Sequence, residues 1–217
     1  MSFASDYPQH GIDGFGGYAA LTSKQRWVLD EMERLAKAGR KTILYAENPG
    51  LLELLSRRLT DRGVDNMVFH GKIPIRQRTR ELNQRFRFGD CPIAACSLGV
   101  AQKGLNIWQA NEVIVLSRSW LSSVEEQAIA RTLRPQQKAN VRVRYVHLTG
   151  SIDVYKAQMV EFKQDAADSG LDWATPQKSG AEFLHLDTVL HRFIEGLAEL
   201  RGVKAHKLRD HLKGRAA

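Results

Sequence analysis

The pattern in this 217-residue chain most capable of chemistry is Gln127-Ala-Ile-Ala-Arg131-Thr-Leu-Arg134. A guanidinium group carries a permanent charge, and its planar fork grips two phosphate oxygens at once. The run is expected to be helical, which would set Arg131 and Arg134 on one face. A cation held there stabilises the negative charge that spreads as a phosphoryl group is transferred. Gln127, one turn earlier, is a candidate to orient a nucleotide or brace the arginines. Upstream, Gly104-Leu105-Asn106 makes a turn next to the same place. An isolated Arg-x-x-Arg is more often an ordinary solvated pair, so the assignment leans on its surroundings.

A second basic set follows Gly71: Lys72, Arg76, Arg78, Arg80, Arg85 and Arg87. Helical spacing brings Arg76 and Arg80 together, with Leu82 and Phe86 turned inward. Beside a strand end this segment reads as a track for phosphates, with Ser97 and Lys103 as further backbone contacts. Trp120 falls just past another strand end, where an aromatic ring can wedge against a sugar or base. The net charge of +8 and pI of 9.7 favour a polyanionic partner.

Other chemistries find little support. The chain has no Gly-x-x-x-x-Gly-Lys-Ser/Thr phosphate loop, and its one adjacent Asp-Glu pair, Asp30-Glu31, falls inside a predicted helix. It is therefore not expected to hydrolyse ATP alone, and no metal site is expected. Cys91 and Cys96 lack partners at ligand spacing and read as buried free thiols of a reducing compartment. The N-terminus has no signal-peptide pattern and no apolar run reaches the roughly 18 residues a membrane span needs, so a cytoplasmic chain without membrane contact is expected.

The elements that must position these groups can be read from periodicity. Thr22 or Ser23 caps a helix whose apolar face is Trp27, Val28, Met32 and Leu35, closing at Gly39. Strands are predicted at 41–46, 64–69, 92–96, 112–116 and 141–148. Helices fall between them: one from Pro49 to near Gly63, one from Pro74 to Phe88, and the one carrying the arginines. Strands alternating with helices predict an α/β fold, a doubly wound and mostly parallel sheet with an N-terminal helix and a C-terminal helical tail. In such sheets ligands gather beyond the carboxyl ends of the strands, where His70-Gly71, 97–106 and 117–120 fall. Residues 1–20 read as a flexible lead. Residues 21–165 form the lobe, and 166–217 a linker, an amphipathic helix and a basic tail.

Taken in order, five stretches resemble one family. Ser23-Lys24 with Lys41-Thr-Ile-Leu-Tyr-Ala46, Phe69-His-Gly71 with Arg78, Ser97 to Ala110 with Gly104-Leu-Asn106, Trp120 with Gln127-Ala-x-x-Arg131-x-x-Arg134 and Gln137, and Val141 to Tyr155 are similar to the C-terminal RecA-like lobe of superfamily-two helicases. The branch they resemble holds the SWI/SNF-type DNA translocases. Two departures stand out: Val100-Ala101-Gln102 replaces the family's Ala-Gly-Gly, and Gln136 replaces a glycine.

The resemblance implies that Arg131 and Arg134 serve as arginine fingers for ATP held by the other lobe. It implies nucleotide contacts at Gly104, Asn106 and Gln127, and DNA contacts at Gly71, Lys72, Arg78, Ser97, Lys103 and Trp120. The expectation is a second lobe of a split ATP-driven DNA translocase. It would bind ATP and Mg²⁺ only in complex with a separate chain carrying the N-terminal lobe, and would favour duplex DNA. Met1 and the amphipathic tail fit a short natural chain, an arrangement suited to a phage acting in the host cytoplasm; a piece of a larger enzyme is the alternative. The rival function is a non-enzymatic DNA-binding adaptor or inhibitor derived from such a lobe.

Overall fold

Thr22 starts the first helix. Its hydroxyl accepts the Gln25 backbone N–H at 3.2 Å, and the Gln25 side chain accepts the Thr22 N–H at 3.0 Å. In this computed structural model the described residues are 21–171, less 102–104, 106, 120, 138 and 150. The expected lead and the amphipathic helix after 182 lie outside them. Helix α1 (Ser23–Lys37) buries Val28, Leu29, Met32 and Leu35. Trp27, expected inward, is 46% exposed, because one residue back along a helix turns a side chain about 100° off the stripe.

Five strands form one parallel sheet: β1 (Thr42–Ala46), β2 (Asn66–Phe69), β3 (Ile93–Ser97), β4 (Glu112–Val115) and β5 (Arg142–Tyr145), in the order β2-β3-β1-β4-β5. Helices α1 and α2 (Pro49–Asp61) cover one face, packing on Leu44, Ala46, Ile93, Ala95 and Ile114. The other face carries Ile43, Tyr45, Phe69, Cys96, Val113 and Val115 under Leu82 and Phe86, which follow α3 (Ile75–Glu81), and under α4 (Leu98–Ala101) and α5 (Ser122–Ala130). Buried parallel strands read as largely apolar runs, which is why β1 to β4 stood out in the sequence, whereas β5 alternates arginine with Val143 and Tyr145 and is only partly buried.

Boundaries moved for local reasons. Strand β2 begins at Asn66 rather than 64 because Gly63 (φ +74°) turns the chain and Val64 N–H still bonds the Leu59 carbonyl of α2 at 2.9 Å. The expected single helix from Pro74 to Phe88 is two pieces. Pro74 is the cap, and after Glu81 the chain slips into a π-helical turn over Leu82–Arg87, with Phe88 N–H on the Asn83 carbonyl at 3.0 Å. Lys41 Nζ takes the freed carbonyls of Phe86 and, at 2.7 Å, Gly89. A Cβ at Gly89 would stand 2.5 Å from the Gln84 carbonyl oxygen, so only glycine allows the exit.

The chain divides into two compact units after His147. The described part of the second is α6 (Ile152–Leu171), whose start is held by Ser151 Oγ accepting the Asp153 N–H at 3.2 Å. It continues into the stretch expected as linker from 166. No helix among the described residues is long and apolar enough to cross a membrane.

Candidate functional site

Register sets the site. Phe69 and Tyr45 both align with Cys96, and Tyr45 with Val115, so β2, β3, β1 and β4 end along one line. At the usual strand spacing that line runs ~14 Å. Past it come His70, Gly71 and Lys72 after β2, Ser97 closing β3, and Ser117 to Ser119 after β4. This edge therefore collects the loops expected to bind ligands. Three of its buried side-chain atoms have no hydrogen-bond partner: His70 Nδ1, Arg78 Nε and Ser117 Oγ. Unsatisfied buried atoms also occur away from this edge, at Arg87 and Gln109, so they do not by themselves single it out. His70 is anchored on its other side, Nε2 lying 2.9 Å from the Glu53 carboxylate.

The arginine run differs from its expected geometry. Helix α5 ends at Ala130, Arg131 is its cap residue (φ −70°, ψ −19°), and Arg134 lies beyond the helix. The two arginines therefore do not share a helical face. Pro135 explains this, since the residue before a proline is pushed out of the helical region. Arg131 is half-buried, whereas Arg134 is exposed and, among the described residues, makes no ion pair. Gln127 is exposed on α5. Gln137 does a scaffold's work: its amide donates to the carbonyls of Trp108 and, at 2.8 Å, Ala110, fixing the approach to β4. Tyr45, on the central strand, donates its hydroxyl to the Ala128 carbonyl at 2.9 Å. Burial pushes that phenol well above its ordinary range, Cys96 adds to the shift, and the nearby Arg131 charge opposes it.

The basic segment is open to solvent. Lys72, Arg76 and Arg80 are exposed and free of ion pairs among the described residues. Arg76, Thr79, Arg80 and Asn83 line a shallow groove with Ile75, which is 64% exposed. Leu82 and Phe86 point inward as expected. Arg78 is half-buried, its charge near enough to hold down the Cys96 thiol against burial, which pushes it up to about 12. Arg85 is drawn off to Asp65 at 2.6 Å, and Arg87 to the Asn83 side chain at 2.8 Å. Gly71 is exposed and Ser97 buried. Gly104, Asn106, Lys103 and Trp120 lie outside the described residues.

One pair escaped the sequence reading. Glu125, 2% exposed, accepts Arg118 Nε at 3.0 Å and Nη2 at 3.0 Å, together with the Ser119 N–H. Arg118 also lies over the Tyr145 ring at 4.5 Å. The pair ties the loop after β4 to the first turn of α5. Its only sequence signal is an acid near a helix start, which looks like an ordinary charge on the helix dipole. Asp30 and Glu31, by contrast, are structural: Asp30 pairs with Arg62, and Glu31 with Arg34 and Arg144. Both cysteines are free and buried, and among the described residues no three His, Cys, Asp or Glu gather as a metal site.

Residues 23–136 match the family described as the helicase conserved C-terminal domain. The chain is 28% identical over 132 residues to the DNA repair protein RAD5A of Arabidopsis thaliana, covering 61% of this chain and 13% of that protein. It is 30% identical over 145 residues to RAD5B of the same plant, covering 66% and 11%. To the human DNA excision repair protein ERCC-6-like it is 23% identical over 141 residues, 64% of this chain and 11% of that one. The matched stretch is thus little more than a tenth of these relatives. Among solved structures, the C-terminal part of the Fun30 ATPase domain superposes with a TM-score of 0.63 at 16% identity, covering 89% of this chain and 57% of that chain. That likeness bears on the fold.

Proposed function

The chain belongs to the helicase conserved C-terminal domain family, and on that premise we propose that it is the second lobe of an ATP-driven, SWI/SNF-like translocase on duplex DNA. The observation that carries this reading is the exposed Arg134, without an ion pair among the described residues, three residues beyond the half-buried Arg131 in the turn that follows α5. Such an exposed guanidinium is suited to a phosphate presented from outside. ATP and Mg²⁺ would be held by a lobe that carries a phosphate loop, a motif absent from residues 1–217, and a separate chain is the proposed carrier of that lobe. Arg134 would then meet the terminal phosphate, with Arg131 beside it, Gln127 as support, and Gly104 and Asn106 at the nucleotide.

DNA is proposed from the basic residues that follow β2. Lys72, Arg76 and Arg80 offer exposed cations without ion pairs among the described residues, with Gly71, Arg78, Ser97, Lys103 and Trp120 as the remaining proposed contacts. The relatives named as DNA repair proteins support the same polymer. The adaptor reading is favoured by one feature: Ala101, where the family pattern has glycine, is buried in α4, and a side chain there limits the backbone conformations that glycine would allow.

The deciding experiment is DNA-stimulated ATP hydrolysis by this chain alone, by a purified phosphate-loop lobe alone, and by the two mixed. Activity is expected only in the mixture, and Arg134→Ala is expected to lower kcat by roughly a thousandfold or more. A mixture whose activity survives Arg134→Ala rules out the finger. A mixture that binds DNA and never hydrolyses ATP supports the adaptor.

A further inference from the structure

Helix α5 does not by itself fix where the Arg131 guanidinium stands. The helix stops at Ala130, so the arginine occupies the turn where helical bonding runs out. Two side chains outside the expected site residues take over. Tyr45 is fully buried on the central strand, and the carbonyl of Ala128 that accepts its hydroxyl at 2.9 Å also accepts the Arg131 backbone N–H at 3.3 Å. Strand and arginine therefore meet at one oxygen. Thr132, also 0% exposed, donates its hydroxyl to the Ile129 carbonyl at 2.6 Å, and its N–H reaches the same oxygen at 2.9 Å. Phenylalanine and valine would fill these two places without bringing a polar group into the core. A buried hydroxyl is costly unless its bond is made, so each hydroxyl here holds something.

From this geometry we propose that Tyr45 and Thr132 are positioning residues for Arg131: Tyr45 ties the arginine's turn to the central strand, and Thr132 closes that turn behind it. Neither residue needs to touch ATP. What Arg131 is positioned for rests on the function proposed above; the tie itself can be tested on the chain alone. Catalytic cations gain most of their effect from being held in place before the reaction starts. A single turn of chain running on into a proline is a poor holder without such ties.

The variants are Tyr45→Phe, which keeps the ring, and Thr132→Val, which keeps the shape. In the full-length chain, amide hydrogen exchange at Arg131 and Thr132 and the Arg131 Nε–H resonance report the turn directly. Tyr45→Phe is expected to speed exchange at Arg131 about fivefold, the effect of losing one neutral hydrogen bond, and to shift the Nε–H signal. Leu44 and Ala95, in neighbouring strands, should keep their wild-type rates. Thr132→Val should speed Thr132 likewise. Unchanged exchange with an unchanged Nε–H signal in both variants overturns the proposal. So does equal acceleration at Arg131, Leu44 and Ala95, which would mean only a less stable core.

In the ATPase assembled with a purified phosphate-loop lobe, Tyr45→Phe should lower kcat by roughly tenfold to a hundredfold with KM for ATP unchanged. If Arg131→Ala stops hydrolysis and Tyr45→Phe does not slow it, the positioning role is overturned and the finger stands. If Tyr45→Phe moves the Nε–H signal while Arg131→Ala stays fully active, the positioning role is supported and the finger falls.

Discussion

Replacing Glu125 by glutamine tests what holds the loop after β4. The carboxylate is 2% exposed and takes two guanidinium nitrogens of Arg118 and the backbone N–H of Ser119. Arg118, 11% exposed at its side chain, has the Tyr145 ring on its flank. Glutamine keeps the shape and one acceptor oxygen but withdraws the charge, and turns an NH₂ group toward a buried cation. Removing one member of a buried pair costs about 3–5 kcal/mol; the retained acceptor argues for the low end, about 3 kcal/mol. At about 2–4 °C per kcal/mol for a chain of this size, Tm should fall by about 6–12 °C. Urea and thermal unfolding, followed by circular dichroism, measure it. Arg118→Met should cost a similar amount, because it leaves the carboxylate buried. The double variant with Glu125→Leu should regain most of the loss, since no lone charge remains. A loss below about 1 kcal/mol for Glu125→Gln, or strict additivity in the double variant, would refute the assignment of the pair as the tie between loop and α5.

Hydrogen bonding from Arg34, assisted by Arg144 and opposed by burial, holds the Glu31 carboxyl at about 2 instead of 4.5. A carboxyl with a depressed folded value stabilises the fold above its unfolded value and loses that contribution as pH falls from about 4.5 toward 2. Glu31→Gln should therefore lower Tm at pH 7, by at most about 3 kcal/mol in stability, and the gap to wild type should narrow to about a quarter of that by about pH 2.5 and close only below about pH 2; a pH-independent gap contradicts this. Burial pushes the Cys96 thiol up to about 12 and that of Cys91 to about 11. Both should resist a thiol reagent at pH 8 until the chain unfolds, and rapid labelling of native protein would count against their placement. On duplex DNA, Arg76→Ala with Arg80→Ala should flatten the dependence of log affinity on log salt by about 0.9 for each phosphate no longer neutralised; an unaltered slope removes both from the track.

The strands were readable because four of them lie deep in a sheet covered on both faces, and a segment such as Thr42 to Ala46, buried at every position, leaves an unbroken apolar run. Strand order was not readable: nothing local in Ile93 to Ser97 says that it inserts between β1 and β2. The π-helical turn was hidden for a similar reason, since the lysine that takes its carbonyls sits 45 residues earlier, on the way into β1. At the site, the arginines and the strand-end loops announced themselves by residue type. The end of α5 before Arg131 also had a local signal in Pro135, outweighed by the helical spacing of the arginines. Glu125 and Tyr45 had none, because each looks ordinary until a partner from a distant stretch meets it.

The outer strand β5 shapes how this molecule behaves in company. Among the described residues it lies at an edge of the sheet, and an open edge invites strands from other molecules. On one of its faces β5 carries Arg142 and Arg144. Arg144 is clamped to Glu31 and Glu112, and Arg142, 64% exposed at its side chain, stays loosely tied 3.8 Å from Glu112. A neighbour adding a strand there would have to lie against two guanidinium groups, one of them anchored to a helix and to the adjoining strand. The ion pairs that bind α1 to the sheet thus also guard its margin against self-association.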